Sequence, residues 1–156
     1  MATTGPDTDR SEIIDLVDAI FDTVDAKDWD AVEALFDATV RIDFTSLEGG
    51  TPATITSRQL VDGWRQGLHG QKKSFHMAGH HRVAVDGDAA TAVAKGYAYN
   101  VLDEALGGGM WEVWGAYEIP FLRTPAGWKA TGLTFSAWHT RGDDSVRAHR
   151  LAASGA

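Results

Sequence analysis

The chain contains no cysteine. That absence removes disulfide bridges, thiolate metal sites and a cysteine nucleophile together. No apolar run approaches the roughly 18 to 20 residues that a bilayer-crossing helix needs. Met1 to Arg10 is polar and acidic, without the basic start and apolar stretch of a secretory leader, so a cytoplasmic location is the default expectation. Positive charge is scarce as well: 14 Lys and Arg stand against 22 Asp and Glu, a formal net charge of −8. Such a surface repels nucleic acid and anionic membrane, and neither is expected as a partner. Gly107-Gly108-Gly109 has no helix after it and lacks the amide array of a phosphate loop. There is no G-x-S-x-G elbow, no internal repeat and no low-complexity linker.

What is present suits one domain. At 156 residues the chain can bury a core around one pocket. Six tryptophans, several in predicted strands, point to plain core packing, an aromatic cavity or a covered oligomer interface. Outward-facing Trp114 and Trp138 favour the last.

Helical spacing of Ile13, Val17, Ile20 and Val24, flanked by Ile14 and Phe21, predicts a first helix from about Ser11 to Ala26, with Asp9 and Glu12 as a capping box. Asp28 caps a second helix, Trp29 to Phe36, and Val40 to Phe44 is a short strand. Thr56 with Gln59 caps a third helix that reaches about Leu68. Four alternating segments follow, near 72–85, 89–103, 110–123 and 128–140, separated by turn signals. Helices first and a meander afterwards predict an α+β fold with the helices on one face of a curved, largely antiparallel sheet. The expected boundaries are a disordered segment 1–10, one domain 11–140 and a flexible tail 141–156.

Period-2 alternation puts Trp111, Val113, Gly115, Tyr117, Ile119 and Phe121 on the cavity side of the third long strand. On the last strand, Leu133, Phe135, Ala137 and His139 should line up together. On the second, small residues Ala94, Gly96 and Ala98 lead to Asn100 and should leave volume open.

The candidate chemistry is an acid–base pair. A histidine needs a carboxylate to fix its tautomer and free its second nitrogen for proton transfer. His76 is the histidine and Asp25, on the border of the apolar helix face, is the candidate carboxylate. Spacing alone leaves open whether the two meet, and each residue also has an ordinary structural reading. Four residues along a strand span about 13 Å, so His76 and His80 do not share an ion and no metal site is expected.

Val24-Asp25-Ala26-Lys27-Asp28-Trp29-Asp30, Arg41-Ile42-Asp43-Phe44, Ser74-Phe75-His76-Met77-Ala78-Gly79 and Gly127-Trp128-Lys129-Ala130-Thr131-Gly132-Leu133 closely resemble the scytalone dehydratase family. More broadly the chain resembles the SnoaL-like group of the nuclear transport factor 2-like superfamily, over most of residues 10–140. That group includes hexachlorocyclohexane dehydrochlorinase and bile-acid dehydratases. The resemblance implies a cone-shaped curved mixed sheet, mostly antiparallel, closed by three N-terminal helices, in a homodimer or homotrimer. It implies that Asp25 and His76 form a catalytic dyad, with no cofactor, removing a proton while a neighbouring group leaves as water or halide. Val24 and Phe44 stand where scytalone dehydratase has tyrosines, Asn100 where it has a second histidine, and Gly115 and Tyr117 where it has serine and asparagine. The rebuilt shell implies a substrate other than scytalone.

The expectation is therefore a dehydratase-like lyase acting on a small hydrophobic polyketide, terpenoid or aromatic compound. Asn100, Tyr117, Phe44, Val24, Trp111, Val113, Phe135 and Ala98 would bind it, with Asn100 and Tyr117 polarising its oxygen. A cyclase or isomerase using the same base, and a binding cup without catalysis, are the alternatives.

Overall fold

The computed structural model describes residues 5–151. Helix α1 (Pro6–Ala26) is followed by α2 (Trp29–Ala34), β1 (Phe36–Asp43), the single turn α3 (Thr45–Glu48), β2 (Ala53–Thr56) and α4 (Ser57–Gly67). Four long strands then run as β3 (Lys72–Asp86), β4 (Ala89–Leu102), β5 (Met110–Thr124) and β6 (Gly127–Gly142), and α5 (Asp144–Ala148) closes the order. The strands form one sheet in the order β2-β1-β6-β5-β4-β3. Only the β1–β6 pair is parallel, so the sheet is mixed and mostly antiparallel, as expected, and β3 is one of its edges.

Local chemistry explains the elements. Ile13, Val17, Ile20, Phe21 and Val24 make the buried face of α1, which lies across the sheet against β3. Each such side chain contributes about 1.5–3 kcal/mol when removed from water. Lys27, at φ 57°, turns the chain out of α1, and its ammonium donates to the carbonyl of Leu68 at the end of α4. The two helices are thereby tied at the same end of the molecule. Both halves of the expected capping box form on α4: the Thr56 hydroxyl accepts from the Gln59 amide at 3.1 Å, and the Thr56 amide donates to the Gln59 side chain at 2.9 Å.

Several expectations change. The first helix begins at Pro6, where a proline is preorganised for the first turn, instead of at Ser11. Asp9 consequently lies in the first turns of the helix and not at its cap: it is buried, accepts from the two terminal nitrogens of the Arg123 guanidinium at 3.1 and 2.9 Å, and accepts from Trp128 Nε1 at 3.3 Å. Of the segment 1–10 expected to be disordered, residues 6–10 are thus helical, and residues 1–4 lie outside the described residues.

The expected tail from 141 is likewise ordered through the described residues. β6 continues to Gly142, and Asp143 caps α5, which plants a fully buried Val146 in the core. Residues 152–156 lie outside the described residues.

On β6 the expected row breaks at a bulge. Trp114 pairs with His139 but Gly115 pairs with Ala137, leaving Trp138 as the extra residue. One extra residue moves His139 to the outer face, where its ring lies 5.2 Å from that of Trp114. A second bulge at His80 (φ 53°) swings His81 inward under α1, 3.2 Å from Asp18, and leaves His80 exposed.

The row of small residues on β4 is filled in part. A Cβ on Gly96 would stand 2.0 Å from the Tyr117 ring, so the volume released there holds that ring. Ala98, two residues on, faces open space. Among the described residues no helix is long and apolar enough to cross a membrane.

Candidate active site

A cavity of about 260 Å³ opens between the helices and the inner face of the sheet. All eight side chains expected to bind substrate line it: Val24 from α1, Phe44 after β1, Ala98 and Asn100 from β4, Trp111, Val113 and Tyr117 from β5, and Phe135 from β6. His76 from β3 is in its wall, with Asp25 directly behind it.

The structure brings Asp25 and His76 together although 51 positions separate them. Asp25 is four residues after Phe21, hence on the same helix face, and it reaches the edge of the sheet where β3 passes under the end of α1. Its Oδ1 lies 2.7 Å from His76 Nδ1, and its Oδ2 accepts the His76 backbone N–H at 2.7 Å. The Ser74 hydroxyl donates to Oδ1 at 2.9 Å. Burial pushes the Asp25 carboxyl up. The hydrogen bond and charge of the His76 ring, with the His76 amide and the Ser74 hydroxyl, outweigh burial and hold it below the ordinary carboxylate value. The carboxylate only accepts, so Nδ1 carries the proton and Nε2 is left as the lone-pair nitrogen.

Rotation of the imidazole is blocked as well. The Phe21 ring stacks on it at 5.6 Å with 19° between planes, and the Tyr117 ring packs on Phe21 at 4.4 Å. Phe135 continues the stack, 4.8 Å from Tyr117. Burial and then the Asp25 charge push the Tyr117 phenol far up, so it stays a protonated donor. His76 Nε2, the Asn100 amide and the Tyr117 hydroxyl have no hydrogen-bond partner among the described residues, although Asn100 and Tyr117 are buried. Three unpartnered polar groups among the apolar side chains at this end of the cavity are what a ligand with one polar centre would meet.

Sequence reasoning overlooked Ser74, Phe21, Arg147 and Arg150. Ser74 had a usable signal, since it is two residues before His76 and shares its face. Phe21 had one too, at helical spacing from Asp25. The two arginines line the mouth of the cavity from the C-terminal segment, where the sequence showed only a charged tail. Among the described residues, no three or more His, Asp or Glu side chains gather into a potential metal-ion site.

The SnoaL-like domain matches residues 8–134 of the chain. No curated protein sequence matches it. Among solved structures, a Kribbella flavida protein is 28% identical, with TM-score 0.84 over 88% of this chain and 95% of that one. A protein named as a scytalone dehydratase from Novosphingobium aromaticivorans is 14% identical, with TM-score 0.69 over 83% of each chain. A hexachlorocyclohexane dehydrochlorinase is 18% identical, with TM-score 0.68 over 96% of this chain and 99% of that one. Further matching structures carry the nuclear transport factor 2-like name.

Proposed function

The chain belongs to the SnoaL-like domain family, and we propose that it is a lyase that removes a proton with the Asp25–His76 pair. The observation that carries this reading is the 2.7 Å contact between Asp25 Oδ1 and His76 Nδ1, with Nε2 unpartnered at the cavity wall. The dehydratase and dehydrochlorinase among its structural neighbours support the same reaction class, at low identity.

The proposed step begins with His76 Nε2 taking a proton from a carbon next to a carbonyl. The C–H electron pair becomes the new double bond, and the group on the adjacent carbon departs. When that group is hydroxide, the imidazolium returns the proton to it and water leaves, which restores the neutral ring. Asp25 holds the ring and stabilises its charged form, while Asn100 and Tyr117 donate to the oxygen where negative charge develops. Wall residues of this kind suit a small hydrophobic polyketide, terpenoid or aromatic compound.

His76→Ala tests the assignment. A positioned base supplies about 10²–10⁴-fold of rate, and the variant should lose that much of the elimination activity while keeping the fold. Undiminished turnover would remove His76 from the mechanism. Product mass separates this reading from a cyclase or isomerase using the same base, because dehydration lowers it by one water and isomerisation leaves it unchanged.

A specific observation favours a binding cup as the second reading. Val24 and Phe44 line the cavity without a hydroxyl to hold a water. A small molecule that co-purifies and stays chemically unchanged during incubation would favour the cup.

A homodimer or homotrimer is part of the proposal, with a second copy covering the outer sheet face. Phe75, Met77 and Trp138 are exposed there, and Phe75 stacks on Tyr99 at 5.3 Å. Sedimentation at micromolar concentration tests it, and a monomer would refute it.

A further inference from the structure

The chain as a whole is strongly acidic, yet one end of its cavity is built from cations. Lys27 donates to the carbonyl of Leu68, and the fully buried Lys72 donates to the carbonyls of Arg147 and His149 at 3.0 and 2.6 Å. Lys27 thereby ties the end of α1 to the end of α4, Lys72 ties the start of β3 to α5 and the residue after it, and the Leu151 amide, donating to the Gln66 carbonyl at 3.2 Å, draws that segment against α4. That placement brings the guanidinium groups of Arg147 and Arg150 to the cavity mouth. Their charges reach inward: burial first, then Arg150, Arg147 and Lys27, push the Lys72 ammonium down to about 8.

The opposing charges can be placed one by one. Asp144 holds Arg147 with two hydrogen bonds, at 2.8 and 2.9 Å, and Glu48 lines the same cavity and also faces Arg147. Asp25 is occupied at the other end, by His76 and Ser74. Arg150 is different. Its one hydrogen bond among the described residues is a long one, 3.4 Å to the carbonyl of Gly63, and no carboxylate there pairs with it. A guanidinium at a cavity mouth, with no anion beside it, presents a planar fork suited to a carboxylate. Arg150 is the one cation lining the cavity that has no carboxylate partner among the described residues, and a single such cation favours a monoanion over a dianion.

We propose that the substrate of this cavity is an organic acid whose carboxylate docks on Arg150 at the mouth while its apolar body extends to the dyad. Lys72 and His76 stand on the same face of β3, four residues and about 13 Å apart, so the cation cluster and the base lie at separate ends of the cavity. A carboxylate held at the mouth keeps its charge out of the apolar wall and aims the remote end of the molecule at Nε2. The proposal rests on the cavity being the substrate site, as above, but not on His76 being the base.

The probes are 2-naphthoate, its methyl ester and 2-naphthyl phosphate, titrated against the whole protein by isothermal calorimetry and by quenching of the cavity tryptophans Trp64 and Trp111. The acid should bind about tenfold more tightly than the ester. In Arg150→Gln the two affinities should converge, with ester binding unchanged. Arg150→Lys should restore part of the difference. Thermal melts of both variants confirm that the fold is intact. Equal affinity for acid and ester in the native protein overturns the proposal, as does a preference that survives in Arg150→Gln, tighter binding of the phosphate, or no binding of the acid at millimolar concentration. His76→Ala should keep the acid preference. If it does and turnover is absent from every assay, the lyase reading fails alone; if turnover is found but is indifferent to the carboxylate, this proposal fails alone.

Discussion

The Asp25 carboxylate holds His76 at two points, its ring Nδ1 and its backbone amide, each at 2.7 Å. One oxygen sets the tautomer and the other fixes the strand beneath the ring. An asparagine cannot replace both acceptors, because one of its two arms is a donor.

Asp25→Asn should therefore lower kcat by about 10²-fold with KM nearly unchanged, because what it disturbs is the readiness of the base. Steady-state kinetics on any accepted substrate checks this. A loss confined to KM would mean that Asp25 shapes the pocket instead of the base.

The Asp25 carboxyl should titrate below the ordinary carboxylate value of 3.8 in the native protein. A group whose folded value is depressed contributes stability above its unfolded value and loses it as pH falls through the folded one. That contribution is thus complete above about pH 4–5 and disappears at more acidic pH. In His76→Ala the hydrogen bond and charge of the ring are lost while the amide of residue 76 and the Ser74 hydroxyl remain, so the carboxyl should move up from its native value. Carbon-detected NMR of the side-chain carboxyl reads both directions.

Gly96→Ala should destabilise the fold by about 1–3 kcal/mol, because the added Cβ would stand 2.0 Å from the Tyr117 ring. The ring would have to leave the stack that holds Phe21 against His76, so activity should fall with stability. Thermal denaturation checks the first effect and kinetics at permissive temperature the second. An unchanged melting temperature would show that the ring has room to yield.

Lys72→Met should cost about 1–3 kcal/mol, since it removes a buried donor from two half-buried carbonyls. The loss should be local as well as global: amide exchange in α5 should accelerate more than in β4 or β5. Uniform acceleration would show that Lys72 supports the whole core and not the C-terminal segment.

Much of the fold was written in short-range patterns. Alternation and turn chemistry placed β3 to β6 within two residues at each end, and Thr56 with Gln59 marked α4 as observed. The cavity lining was legible for the same reason, because faces follow from counting by two. Counting fails where a residue is inserted, and nothing in Ala137-Trp138-His139 announces the bulge that turns His139 outward. Asp9 had the spacing of a cap, but its partner Arg123 is 114 positions away, and only the closed topology brings the two together. α5 is five residues long and stands on one buried valine, too little pattern to separate it from a solvated tail. The Asp25–His76 contact was legible as a resemblance and as a pair of eligible residue types; the distance came from the way α1 crosses the sheet.

β3 is an edge, and its outward-pointing amides are where a strand from another molecule could add. His76 donates one of those amides to Asp25, so a helix side chain occupies a position on the edge that a foreign strand would need. The residue proposed to tune the base is by the same contact a guard against edge-to-edge growth. Loss of Asp25 would then expose a sticky edge along with an idle histidine, and an inactive variant of this protein should also be one that is harder to keep in solution.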